Sequence, residues 1–93
     1  MAYQIAETEP FERSLKKTTS PFEARLIRDR LRSQIYPQLR AELHFGPQIK
    51  KLRDYDPPTY RYRIGHFRLF YLIDEVAKTV VIAAVRHRKE AYR

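Results

Sequence analysis

Residues Tyr60 to Ile73 read Tyr-Arg-Tyr-Arg-Ile-Gly-His-Phe-Arg-Leu-Phe-Tyr-Leu-Ile, and no other stretch leaves this chain so little choice of fold. From Thr59 to Ile64 the pattern alternates. Tyr60, Tyr62 and Ile64 point one way, Arg61 and Arg63 the other, as on a pleated strand. Gly65-His66 fits a two-residue hairpin loop, with glycine at the first central position as a type II′ turn requires. Phe67 to Asp74 is apolar on both faces apart from Arg68, which predicts a central strand covered on both sides. Asp74 to Lys78 reads as the next turn, and Thr79 to Arg86 as a third β-rich run.

Upstream, the signals are helical. Tyr3 to Ala6 is a short strand candidate by its alternation. Pro10 suits the first turn of a helix, with Glu7, Glu9 and Glu12 near its positive end and Phe11 and Leu15 sharing a face. Ser20-Pro21-Phe22-Glu23 is a capping box with proline at the first helical position. Ala24, Ile27, Leu31 and Ile35 then follow at helical spacing, with Phe22 and Leu26 beside them. Arg25, Arg28, Arg30 and Arg32 read as a solvated face. Pro37 predicts a break or kink. Leu39 and Leu43 predict a second helical segment to about His44, stopped by Gly46-Pro47. Pro47 to Leu52 reads as one more turn, with Lys50, Lys51 and Arg53 outward.

The expected fold is a single α+β domain over residues 1–93. An N-terminal strand and helices pack on one face of a sheet that ends in a three-stranded antiparallel meander. The other face carries Arg61 and Arg63.

Charge narrows the partners. The chain has 93 residues and a net charge of +8, unevenly spread. From His44 onward, eleven Lys or Arg stand against five Asp or Glu; before it, eight stand against six. A basic C-terminal half suggests a polyanion, most simply nucleic acid. A solvated basic surface, or one neutralised by an acidic protein, is the alternative. There is no cysteine, so neither disulfides nor thiolate chemistry enter. The first residues lack a basic leader and an apolar core, and the longest apolar run, Val80 to Val85, is too short to span a bilayer. The expectation is a soluble cytoplasmic protein without a membrane partner.

Chemistry is narrowed further by what is missing. His44, His66 and His87 stand at no metal-ligand spacing, two glycines cannot build a phosphate loop, and no serine sits in a nucleophile context. The expectation is neither metal nor cofactor. The basic and aromatic set on the strands and tail suits RNA cleavage without a metal. There the 2′-hydroxyl attacks phosphorus, a base removes its proton, an acid protonates the leaving oxygen, and cations stabilise the transition state. Guanidinium suits the last role, because it binds phosphate oxygens bidentately and stays charged.

The Tyr60–Asp74 hairpin, the run Val-Val-Ile-Ala-Ala-Val and the ending His-Arg-Lys-Glu-Ala-Tyr together resemble the C-terminal half of the RelE/ParE superfamily of toxins. Ile49-Lys50-Lys51-Leu52 is similar to the segment that precedes it in many members. RelE-type members are ribosome-dependent endoribonucleases that cut messenger RNA; ParE-type members inhibit DNA gyrase. The ending is closer to the RelE branch.

The resemblance implies a toxin neutralised by a cognate antitoxin, with mRNA and ribosome as further partners. Arg68 falls where the family has a phosphate-binding arginine in its central strand. Arg88 aligns with the second arginine when the last strand is held in register, and is preferred because strand register is more tightly constrained than tail length; anchoring on Tyr92, which implies a base-orienting ring, selects Arg86 instead. Lys50, Lys51, Arg86 and Lys89 are expected to bind RNA. Arg61 and Arg63 stand where the best-known ribosome-dependent member has lysines, and arginine cannot act as a base. The candidate bases are therefore His87, His66, a lysine, or a group supplied by RNA or ribosome. A gyrase inhibitor needs none. A non-catalytic RNA-binding relative is the third reading.

Overall fold

The computed structural model describes residues 3–42, 44 and 46–90. Strand β1 (Gln4–Glu7) leads into α1 (Glu9–Thr18) and α2 (Pro21–Arg30). A π-helical turn, Leu31–Ile35, joins α2 to α3 (Tyr36–Ala41) without interruption. Strands β2 (Ile49–Lys51), β3 (Thr59–Ile64), β4 (Phe67–Asp74) and β5 (Thr79–His87) follow. The five strands form one mixed sheet in the order β1-β5-β4-β3-β2. Only β1 runs parallel to its neighbour β5; the other pairs are antiparallel. The expected α+β fold with its C-terminal meander is therefore present, and β1 and β2 extend the meander at its two edges.

The helix starts follow from caps. Thr8 Oγ1 accepts from Phe11 N–H at 3.2 Å to begin α1. Ser20 Oγ accepts from Glu23 N–H at 3.1 Å while Glu23 Oε1 accepts from Ser20 N–H at 2.9 Å, the reciprocal bonds of a capping box. Pro37 does not break the helix. Its ring would crowd the preceding turn, and the strain is taken up one turn earlier, where Tyr36 N–H reaches back five residues to Leu31 C=O. The helix then ends at Ala41, earlier than the expected His44, and Leu43 lies outside the described residues. The segment read as one more helical turn is instead the edge strand β2, because Ile49, Lys50 and Lys51 pair with Tyr62, Arg61 and Tyr60.

One face of the sheet is covered by helices. Phe11, Leu15, Ile27, Leu31, Ile35 and Leu39 meet Tyr62, Leu69, Tyr71, Val80, Ile82 and Val85 in a single core. Phe22 and Leu26, 68% and 54% exposed, stay outside it. Beyond β1, the free edge of β5 is covered by α1. Val85 N–H donates to Ser14 Oγ at 2.9 Å, and Thr18 Oγ1 donates to Val85 C=O at 3.4 Å. Covering an edge in this way blocks pairing with another chain. No helix among the described residues is long and apolar enough to cross a membrane.

The opposite face, hereafter the open face, carries the arginines. Phe70 and Leu72 lie on it half-buried, so β4 is central in the sheet but helix-covered on one side only.

Candidate nucleic-acid interface

Strand register assembles the open face. In β3 and β4, Arg63 pairs with Arg68, and in β4 and β5, Arg68 pairs with Arg86. Three arginines thus form one row across three adjacent strands. With strands about 4.8 Å apart, the row spans about 10 Å. The neighbouring row runs Lys50, Arg61, Phe70, Ala84.

Arg86 reaches this row because of a bulge. Tyr71 pairs with Ile82, whereas Phe70 pairs with Ala84, so Ala83 is an extra residue in β5. Val80 and Ile82 face the core, and strict alternation would send Ala84 and Arg86 inward after them. The bulge steps the alternation by one residue. Val85 enters the core and Arg86 emerges beside Arg68. The bulge thus places Arg86, rather than Arg88, in the row with Arg68 and Arg63.

Arg68 is only 8% exposed. Its Nη1 donates to the carbonyls of Gly65 and Phe67, each at 2.9 Å, so the guanidinium ties down the hairpin turn. It does not pair with Asp74 or Glu75. Its Nε is buried without a hydrogen-bond partner. Gly65 has φ +56° while His66 keeps a negative φ, as the II′ turn requires. Arg63 is exposed and held by Gln48, whose Oε1 accepts from its Nε at 2.9 Å.

Among the described residues, Arg63, Arg68 and Arg86 have no carboxylate within ion-pair distance. The carboxylates of the helical layer take helix cations instead: Glu9 with Arg13, Glu12 with Arg28, Asp29 with Arg32. Like charges directly opposite each other destabilise a sheet. A row of three such residues is a ready site for a polyanion.

Beside the row lies a groove of about 550 Å³. Phe70, Leu72, Ala83 and Ala84 line it together with Tyr55, Thr59, Arg86 and Glu90. A second cavity, about 460 Å³, sits at the covered edge of β5 among Ser14, Lys17, Thr18, Arg86, His87 and Glu90.

Of the remaining residues expected at the site, His87 turns to the helix side. Its ring stacks 6.3 Å from that of His66 and meets Phe67 edge-on at 5.6 Å, and its Nδ1 accepts from Lys89 N–H at 3.3 Å. Neither histidine shares the face of the arginine row. Arg88 follows the end of β5, exposed, its N–H donating to His66 C=O at 2.8 Å. Lys89 is an exposed turn residue. Lys50 belongs to the open face, but Lys51 pairs with Tyr60 and so points to the helix side of the edge. Tyr92 lies outside the described residues.

A family model described as the ParE toxin of the parDE type II toxin–antitoxin system matches residues 7–92. The chain belongs to this toxin family. No curated protein matches it. Among solved structures, this ParE-family toxin is similar to a chain of the toxin–antitoxin complex RelBE2 from Mycobacterium tuberculosis. That match has TM-score 0.69 and 27% identity, and covers 95% of this chain and 100% of that one. A chain of the RelB–RelE antitoxin–toxin complex from Methanococcus jannaschii matches at TM-score 0.67 with 25% identity over 94% of both chains. A free mutant of the Escherichia coli toxin RelE matches in fold, at TM-score 0.68 and 18% identity, over 99% of this chain and 88% of that one.

Sequence reasoning missed the groove of this toxin, and with it Tyr55 and Glu90. One signal was present. Val85 and Arg86 sit in the wrong phase for a strand whose Val80 and Ile82 face the core, and a bulge is what reconciles them.

Proposed function

We propose that this toxin is a metal-independent endoribonuclease that cuts mRNA at the ribosome and so inhibits translation. The observation that carries the reading is the Arg63–Arg68–Arg86 row, three cations in register with no carboxylate at ion-pair distance among the described residues. In this reading Arg86 and Arg63 grip the phosphates on either side of the bond to be cut, and Arg61 and Lys50 extend the grip along the next row. Arg68 holds the turn and adds its charge from below. Guanidinium groups fixed on strands need little reorganisation as charge builds on phosphorus, which is where electrostatic catalysis gains most. Arg88 and Lys89 bind flanking phosphates, and Tyr92 stacks on an unpaired base.

The toxin is held inactive by a cognate antitoxin, as the RelBE2 and RelB–RelE complexes suggest by analogy. An acidic or amphipathic antitoxin segment would suit the basic open face.

Purified toxin incubated with programmed ribosomes should give cleaved mRNA ending in a 2′,3′-cyclic phosphate, and Arg86→Ala should slow its formation by about 10²- to 10³-fold. Intact mRNA would refute the reading. The ParE family match favours a second reading, inhibition of DNA gyrase, which needs no proton acceptor. Loss of gyrase supercoiling with mRNA left intact would decide for it.

A further inference from the structure

An endoribonuclease of this kind must remove a proton from the 2′-hydroxyl, and the arginine row cannot do so, because guanidinium only donates. His87 and His66 stand on the far side of the sheet. Resting on the endoribonuclease reading, we infer that Glu90 is the proton acceptor, working in the groove it shares with Arg86.

Among the described residues that line the groove, Glu90 is the only carboxylate. It also lines the cavity on the other side of the β5 end, and Arg86 is the one other residue common to both. The two side chains therefore flank the same opening, one able only to accept and the other only to donate. The position of Glu90 is fixed by three successive backbone N–H donors. Arg88 N–H reaches His66 C=O at 2.8 Å, Lys89 N–H reaches His87 Nδ1, and Glu90 N–H reaches His87 C=O at 2.9 Å. The turn after β5 is thus pinned to the hairpin that carries Arg68.

The groove suits a nucleoside. Its volume lies within the range of small-molecule sites, about 300–1,000 Å³. Phe70, Leu72, Ala83 and Ala84 offer apolar surface, and the ring of Tyr55, which is exposed, offers a stacking partner. A ribose beside such a base would lie between Arg86 and Glu90. The charged and titratable groups around Glu90 are Arg86 and Tyr55 on the groove side and Lys17 and His87 on the other.

The step balances without a co-reactant. The 2′-hydroxyl proton passes to a Glu90 carboxylate oxygen as the 2′-oxygen bonds to phosphorus. The bond from phosphorus to the 5′-oxygen breaks. The leaving 5′-oxygen takes a proton from water, and the hydroxide left behind is neutralised when Glu90 releases its proton. The products are a 2′,3′-cyclic phosphate and a 5′-hydroxyl.

The test is single-turnover cleavage of ribosome-bound mRNA by the full-length toxin, its Glu90→Gln variant and its Glu90→Asp variant at neutral pH. Glu90→Gln should slow cleavage by about 10²- to 10⁴-fold, the usual contribution of a general base. Half-saturating toxin concentration should stay within about threefold, as expected when only the transition state is affected. Glu90→Asp should recover part of the rate. Cleavage by Glu90→Gln within threefold of wild type, or a loss matched by weaker binding, would overturn the assignment while leaving the endoribonuclease reading intact. Intact mRNA with wild-type toxin would overturn that reading, and the assignment with it.

Discussion

Replacing Arg86 should make the toxin more stable and less active at once. Arg86 faces Arg68 across the β4–β5 ladder, and Arg68 faces Arg63 in turn. A like-charge pair in a sheet costs about 0.2–1 kcal/mol. Arg86 is exposed and makes no ion pair among the described residues, so Arg86→Ala removes the repulsion and loses little packing. For a domain of this size, about 1 kcal/mol moves Tm by about 4–8 °C, so Tm should rise by about 1–8 °C at low salt. Cleavage should fall by about 10²- to 10³-fold, the usual loss when one group stabilising transition-state charge is removed. The salt dependence of single-stranded RNA binding should flatten by about 0.7 in logarithmic slope, one phosphate contact's worth. Arg88→Ala is the control. It lies past the end of the strand, outside the row, and should lose less than about tenfold in cleavage with Tm unchanged. Thermal melts, salt titrations and cleavage rates on the two variants decide the matter. A lower Tm for Arg86→Ala, or an equal or greater loss of cleavage for Arg88→Ala, would refute the bulge-based placement of Arg86.

Three further outcomes concern stability. Arg28 donates to both Glu12 oxygens, and chiefly this bonding holds the Glu12 carboxyl below its ordinary range. A lowered carboxyl contributes stability above the ordinary range and loses it as pH falls through the lowered value. Both side chains are more than a third exposed, so Glu12→Gln should cost under about 1 kcal/mol at pH 7. Wild-type and variant denaturation curves should converge on acidification. The Tyr36 phenol, pushed up by burial and then by its 2.6 Å bond to Glu7, contributes stability that is present below pH 10.0 and lost above it. Tyr36→Phe should cost about 1 kcal/mol near neutrality and shrink the alkaline loss, with buried Tyr71 retaining the rest. Gly65 has open space around its missing Cβ but φ +56°, so Gly65→Ala should cost only the left-handed backbone, about 1–2 kcal/mol in a denaturant titration.

What the sequence made legible follows from local rules with a single answer. The Tyr60–Ile64 alternation, the Gly65-His66 turn and the Ser20 capping box each depend on a few neighbouring residues, and each stands as read. The misreadings have tertiary causes. Ile49 to Lys51 carries no strand pattern of its own and becomes β2 only because β3 offers it an edge. Pro37 ends isolated helices, but here helix packing keeps Ile35, Tyr36 and Leu39 buried, and a wider turn absorbs the ring. The site was legible in its residue types and not in its geometry. Arg68 and Arg63 were visible as strand arginines, whereas the placement of Arg86 depends on one extra alanine, and Glu90 on a turn after the last strand.

Whether the arginine face cuts messenger RNA is decided by induced expression in cells. Transcript ends should be mapped within minutes of growth arrest, with Arg86→Ala as the comparison. New 5′-hydroxyl ends should arise inside translated regions, absent with Arg86→Ala and absent when translation is blocked beforehand. Growth arrest with intact transcripts and relaxed DNA would contradict it and assign the toxin to gyrase.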